Sequence, residues 1–257
     1  MPLSALPRLP LPGESALLLD VDGTLLDIAP TPDAVRVPSD LPGVLRRLRD
    51  QLGGALGIVT GRPVEQVDAL LGDVPRAVAG EHGGAIRAAP GADIVRVMLP
   101  DPPVAWTIEA ARIVERYPGS LLEQKQRGFV LHYRQAPEHG PALGEAAAAL
   151  VAAEPNRFQI IPALMAWEVR PRGADKASAV EALMLQSPFE GRRPVFIGDD
   201  VTDRDGSRAA VALGGAGLWV PDVFGSASGV RAWLARAADA LDGGAEAWPD
   251  QVTGPAQ

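Results

Sequence analysis

The sequence predicts an α/β protein in which a parallel sheet core carries an inserted α+β segment. Three observations point there. Short apolar runs end abruptly in Asp, Thr or Gly, stretches of helical period lie between them, and the middle of the chain turns to the period-2 alternation of half-exposed strands. The length of 257 residues exceeds the usual size of one compact domain and suits a single core with a sizeable insertion.

Residues 16–21 (Ala-Leu-Leu-Leu-Asp-Val) form an apolar run interrupted by Asp20, and the turn signal Asp22-Gly23-Thr24 follows at once. A buried parallel strand that delivers a carboxylate at its carboxyl tip has this pattern. Leu41, Val44, Leu45 and Leu48 recur at helical spacing, Gly53-Gly54 ends that pattern, and 55–59 forms a second apolar run closed by Thr60-Gly61-Arg62. A helical stretch over 64–71 leads to a third strand at 76–79 and the turn Glu81-His82-Gly83-Gly84. Later, 194–197 runs into Gly198-Asp199-Asp200, and 217–220 reads as a last strand. In a parallel sheet covered on both faces the ligand sits outside the carboxyl ends of the strands, which is where these acids fall.

The middle differs. Segments 94–98 and 128–134 alternate as antiparallel strands do, 106–116 and 141–153 look helical, and 160 with 165–170 again reads as strand. The Ala-rich patch 145–153 is a good helix former. The expected organisation is a loose tail over 1–14, a core domain over 15–96 and 172–257, and an inserted domain over 97–171.

Composition narrows the function. A formal charge of −8 argues against a nucleic-acid partner, whose binding rests on clustered Lys and Arg. The absence of Cys removes disulfides and thiol nucleophiles from consideration, so the cytoplasm is the expected compartment. Pro2, Pro7, Pro10 and Pro12 break the N-terminal run, which lacks the continuous apolar stretch of a secretion signal, and no window is apolar enough to cross a bilayer. Oligomeric state is not written in the sequence.

Asp20 and Asp22 flank Val21 at the end of the first strand. Two carboxylates so close resist joint ionisation unless a cation is shared, and a hard divalent ion such as Mg2+ takes oxygen ligands of this kind. Asp199, Asp200 and Asp203 supply a second acid cluster. Phosphoryl transfer needs positioned charge, and Thr60 offers a hydroxyl and backbone N–H groups while Lys176 offers a fixed positive charge.

The strings Leu19-Asp20-Val21-Asp22-Gly23-Thr24-Leu25, Thr60, Lys176 and Gly198-Asp199-Asp200-Val201-Thr202-Asp203 together resemble the four motifs of the haloacid dehalogenase superfamily of phosphatases, in the order that superfamily uses. Within it, Val59-Thr60-Gly61-Arg62-Pro63, Glu168-Val169-Arg170-Pro171 and Ile197 to Asp203 resemble the trehalose-6-phosphate phosphatases. The resemblance implies a haloacid dehalogenase-like Rossmannoid core with an inserted cap. It implies that Asp20 attacks phosphorus, that Asp22 protonates the leaving oxygen and then activates water, and that Thr60 and Lys176 complete the catalytic set. Mg2+ would be held by Asp20, the main-chain carbonyl of Asp22 and Asp199, with Asp203 in support. Gly61 and Arg62 would bind substrate, together with Lys125, His132, Arg134 and Glu168 of the cap. On a strand, His132 and Arg134 would share a face. The implied partner is a small sugar phosphate.

Two departures from the family pattern stand out. Glu81 and Gly84 flank His82-Gly83, where an apolar residue and an acid are usual, and Arg204 follows Asp203, where an acid is common. Other readings stay open: a phosphatase of the same superfamily acting on a sucrose or mannosylglycerate phosphate, a catalytically silent binding domain, and a phosphomutase.

Overall fold

The computed structural model describes residues 8–29, 31, 34–125 and 127–250. Its elements begin with β1 (Ser15–Leu19), α1 (Leu41–Gln51), β2 (Leu56–Val59), α2 (Val64–Leu71), β3 (Ala77–Gly80), β4 (Ala85–Arg87) and β5 (Ile94–Arg96). They continue with α3 (Val104–Arg116), β6 (Leu121–Lys125), β7 (Gly128–His132), α4 (Gly140–Val151), β8 (Phe158–Ala163) and β9 (Ala166–Pro171). The last are α5 (Lys176–Met184), β10 (Arg193–Gly198), α6 (Asp203–Ala212), β11 (Ala216–Trp219), α7 (Val220–Val223) and α8 (Ala227–Asp242). The chain divides into two compact units, Met1–Val97 with Asp175–Gln257, and Met98–Ala174.

In the first unit the described residues form a seven-stranded sheet in the order β11-β10-β1-β2-β3-β4-β5. The five strands from β11 to β3 run parallel, and β4 and β5 are antiparallel. Every residue of β1 and β2 is buried, so helices cover both faces and these strands read as unbroken apolar runs. Helix α1 turns Leu41, Leu45 and Leu48 inward, and α8 turns in Val230, Trp233, Leu234, Ala237 and Ala238, the period-3.6 stripe expected of a half-covered helix. Strand β5 belongs to this sheet, although the pattern of 94–98 grouped it with the middle of the chain.

The loose tail expected over 1–14 is tied down from residue 8 onward. Leu9 packs on the core, Pro12 is buried, and Pro10 O accepts hydrogen bonds from Ser15 Oγ (3.2 Å) and Trp248 Nε1 (2.8 Å). Hydrophobic contact and three-centre bonding to Pro10 thus override the reading of four prolines as a free segment. Residues 1–7 of that tail lie outside the described residues.

The second unit has its own core. A four-stranded antiparallel sheet, β6-β7-β9-β8, lays Phe129, Leu131, Phe158 and Val169 against Trp106, Ala110 and Ile113 of α3 and Leu143, Ala147 and Val151 of α4. Because side chains alternate, the intervening residues line the opposite face. There Glu123 and Glu168 both pair with Val130, while His132 lies between Leu121 and Ala166. Lys125 and Arg170 share that face. The strand expected over 128–134 stops at His132, so Arg134 sits in the turn beyond and the shared strand face of His132 and Arg134 does not exist. No helix among the described residues is long and apolar enough to cross a membrane.

Candidate active site

Three carboxyl-end loops of the parallel sheet build the site. Asp20 leaves β1 with its N–H bonded to Ile197 O (3.0 Å), and the chain then folds back through Gly23, where φ is +79° and Gly23 N bonds Leu26 O (2.7 Å). A side chain at Gly23 would overlap the Asp199 carboxylate as well as strain the backbone. Thr24 Oγ1 donates to Asp199 Oδ1 (3.2 Å), which ties the first loop to the loop after β10.

Asp203, fully buried at the start of α6, organises that second loop. Its Oδ2 accepts from Asp199 N (3.1 Å) and Asp200 N (2.9 Å), and its Oδ1 accepts from Lys176 Nζ (2.5 Å). Gly198 is required beneath it, because a Cβ there would overlap the Asp203 side chain. Lys176 opens α5 just after Asp175, whose side chain accepts from Ser178 N (2.8 Å) in a capping box that fixes the helix start. From there its ammonium reaches Asp20 Oδ1 at 2.7 Å.

The charges explain the proton affinities. Burial opposes the charged form of Lys176, but Asp20 and Asp203 on either side outweigh it and hold the amine protonated well above its ordinary value. Burial raises Asp20 well above the usual carboxylate range, and Asp203 adds to the rise. Asp199 is pushed up to about 6 by burial, then by Asp203, with the Thr24 hydrogen bond opposing. Oxygens of Asp20, Asp199 and Asp203 lie within 4.8 Å of one another. Three ionised carboxylates against one ammonium leave two negative charges, which one divalent cation would balance. An all-oxygen donor set of this size and charge fits a hard ion.

Thr60 ends β2 almost wholly buried, and its Oγ1 accepts from Arg62 N (3.2 Å), which leaves the hydroxyl proton for another acceptor. Arg62 grips Asp22 through two parallel bonds of 2.6 Å each and also bonds Gln66 (3.2 Å), so Asp22, the more exposed of the loop carboxylates, is held by a guanidinium fork. Gly61 lies against the His82 ring, with no room for a Cβ. Glu81, one of the departures noted above, and the adjoining His82 both adopt positive φ, and Glu81 lies 3.5 Å from Arg96. Arg204, the other departure, stacks over Trp219 at 4.9 Å.

The structure thus brings together Asp20, Asp199, Asp203 and Lys176, with Thr24 bonded to Asp199. Asp22 pairs with Arg62, and Thr60 bonds the Arg62 backbone. In the second unit, Glu123 bonds His132 Nε2 (2.9 Å) and pairs with Lys125. Burial raises the Glu123 carboxyl, but hydrogen bonds from His132 and Lys125 bring it below its ordinary value. Sequence reasoning passed over Glu123, Thr24 and the pairing role of Arg62. No periodic signal marks Glu123, since 121–125 reads Leu-Leu-Glu-Gln-Lys without apolar–polar alternation.

The family model described as trehalose-phosphatase matches residues 18–220. The trehalose-6-phosphate phosphatase of Escherichia coli K12 is 37% identical over 215 residues, covering 83% of this chain and 79% of that one. The C-terminal domain of the Candida albicans trehalose-6-phosphate phosphatase superposes with a TM-score of 0.65 at 25% identity, over 77% of this chain and 73% of that chain. A haloacid dehalogenase-like hydrolase from Bacteroides thetaiotaomicron shares the fold alone, with a TM-score of 0.60 at 16% identity over 86% and 98% of the two chains. The motifs at the strand ends, the doubly covered parallel sheet and these matches agree: the chain is a phosphatase with a haloacid dehalogenase-like fold and belongs to the trehalose-phosphatase family.

Proposed function

We propose that this phosphatase hydrolyses trehalose 6-phosphate to trehalose and phosphate, with Mg2+, through an aspartyl-phosphate on Asp20. The observation that carries the reading is the buried cluster of Asp20, Asp199 and Asp203 around Lys176. Asp20, the main-chain carbonyl of Asp22 and Asp199 would hold the metal, with Asp203 in support. When bound, the ion offsets the charge of the cluster and lets an anionic ester approach an anionic carboxylate.

In the first step an oxygen of Asp20 forms a bond to phosphorus while the bond from phosphorus to the sugar oxygen breaks, and Asp22 gives that oxygen a proton. In the second, Asp22 takes a proton from water as the water oxygen bonds to phosphorus and the aspartyl ester breaks, releasing phosphate. Both oxygens of Asp22 are engaged by Arg62 in the resting protein, so proton transfer requires one of those bonds to be given up when the ester arrives. Lys176 and the Thr60 hydroxyl steady the charge that develops on the phosphoryl oxygens.

Gly61 and Arg62 are assigned to substrate binding, as are Lys125, His132, Arg134 and Glu168 of the inserted unit. Support comes from the polar face that Glu123, Lys125, His132 and Glu168 form on a sheet whose other face is apolar. The family match favours trehalose 6-phosphate over the sucrose and mannosylglycerate phosphates. Phosphate release from these three esters, each with magnesium and with a chelator, tests the reading. Release from trehalose 6-phosphate is expected to dominate and to stop on chelation; indifference to that ester would refute it.

A further inference from the structure

On the first unit, at the end of the sheet opposite the carboxylates, a cavity of about 250 Å³ opens among Arg49, Gly53, Gly54, Arg76, Ser187 and Pro188. Gly53 and Gly54 lead into β2 and Arg76 leads into β3, whereas Thr60 and Glu81 follow those strands. The four residues of β2 alone separate the two ends by roughly 13 Å.

The lining is unusual for a chain of net charge −8, since it holds two guanidinium groups and one hydroxyl but no carboxylate. Arg49 is fixed by Asp73 O (3.1 Å) and Val74 O (3.2 Å), and its remaining bonds go to the exposed Asp50. Arg76 differs. Its side chain makes no hydrogen bond or ion pair with any described residue, and its Nε is buried with no acceptor. A buried donor left without an acceptor costs about 1–3 kcal/mol, and one on a cation more. Ser187 Oγ likewise has no partner among the described residues.

The geometry points to a second binding site here, for a small phosphate-type oxyanion, separate from the phosphoryl-transfer site. A planar guanidinium matches two oxygens of a phosphate, and since Arg76 Nε is enclosed by protein, the donors facing an oxyanion would be the terminal nitrogens of Arg76, which bond no described residue. The volume falls just below the roughly 300 Å³ at which pockets for drug-sized ligands begin, so orthophosphate or a small phosphomonoester fits better than a disaccharide phosphate. Because β2 and β3 start at this cavity and end at Thr60 and Glu81, an occupant would bear on the strands that present the catalytic loops.

The test is an amide NMR titration of chelator-treated protein with orthophosphate and, in parallel, glycerol 3-phosphate, on wild type and on Arg76→Met. The Arg76 side chain bonds no described residue, so the variant is expected to melt as wild type does; Arg76→Lys, which keeps the charge but loses the fork, carries the comparison should it not. In the wild type the amides of Gly53, Gly54, Arg76 and Ser187 are expected to shift saturably. Either substitution is expected to weaken that response at least about tenfold, while shifts at Gly23 and Gly61 follow wild type. Tighter binding of glycerol 3-phosphate identifies a monoester as the ligand, and equal or weaker binding identifies the free ion. Absence of saturable shifts at these amides, or unchanged affinity in both variants, overturns the proposal.

Discussion

Asp203 touches no solvent, yet one of its oxygens gathers two backbone N–H groups and the other holds the ammonium that faces Asp20. A single side chain therefore sets both the Asp199 loop and the lysine. Asp20→Asn keeps the shape of its side chain, so the fold is expected to survive while turnover falls at least about 10³-fold; phosphate release and thermal melting check both. Asp199 gives a test in pH. Its folded-state value is raised, so the folded chain keeps this proton to higher pH than the unfolded chain does. In metal-free protein the stability from this group is therefore present below the ordinary carboxylate value and is lost as pH rises to about 6. Magnesium, which binds the deprotonated carboxylate, reverses the loss above that pH. With chelator present, the wild-type melting temperature is expected to fall relative to Asp199→Asn across this window, and added magnesium is expected to raise it at neutral pH. Parallel melting curves of the two proteins would contradict the assignment.

At the scale of elements, the site depends on loops that only glycine lets close. Gly23→Ala forces a side chain into positive φ, at about 1 kcal/mol, and into the Asp199 carboxylate. The expected result is a weakened response of melting temperature to magnesium and a lower kcat, with the sheet intact by circular dichroism. The strands bearing these loops were legible in the sequence because a strand buried on both faces must be apolar throughout and stops sharply at its polar tip. Other elements were not legible. Helix α6 opens with Asp203-Arg204-Asp205-Gly206, which reads as a loop, and its helical character comes from packing on β10 and β11, with Gly206 against the Phe196 ring. Strands β4 and β6 are short and mixed in polarity, and each is held by pairing to its neighbours in sequence, β4 to β3 and β5 and β6 to β7. Arg134 looked like a strand residue because alternation continued past His132, where the ladder ends.

At the scale of the whole molecule, two separate apolar cores underlie one chain, and neither borrows residues from the other. Phe129, wholly buried in the second, is a direct probe: Phe129→Ala is expected to destabilise that unit by about 3–5 kcal/mol. Hydrogen exchange followed by mass spectrometry should then show lost protection across 98–174 while peptides from β1 and β2 stay protected; a uniform loss across the chain would contradict this independence. The change to period-2 alternation announced a second unit but misplaced its edge, since 94–96 pairs with β4 in the first unit. The pairing of Asp22 with Arg62, which lie 40 residues apart, was not, since side-chain partners of that separation leave no periodic trace. The most direct measurement concerns the covalent step at Asp20. Protein quenched in acid during turnover, reduced with borohydride and digested is expected to carry homoserine at position 20, the product of reducing an aspartyl-phosphate. Phosphate release with position 20 still aspartate, or with the reduced residue elsewhere, would contradict the account.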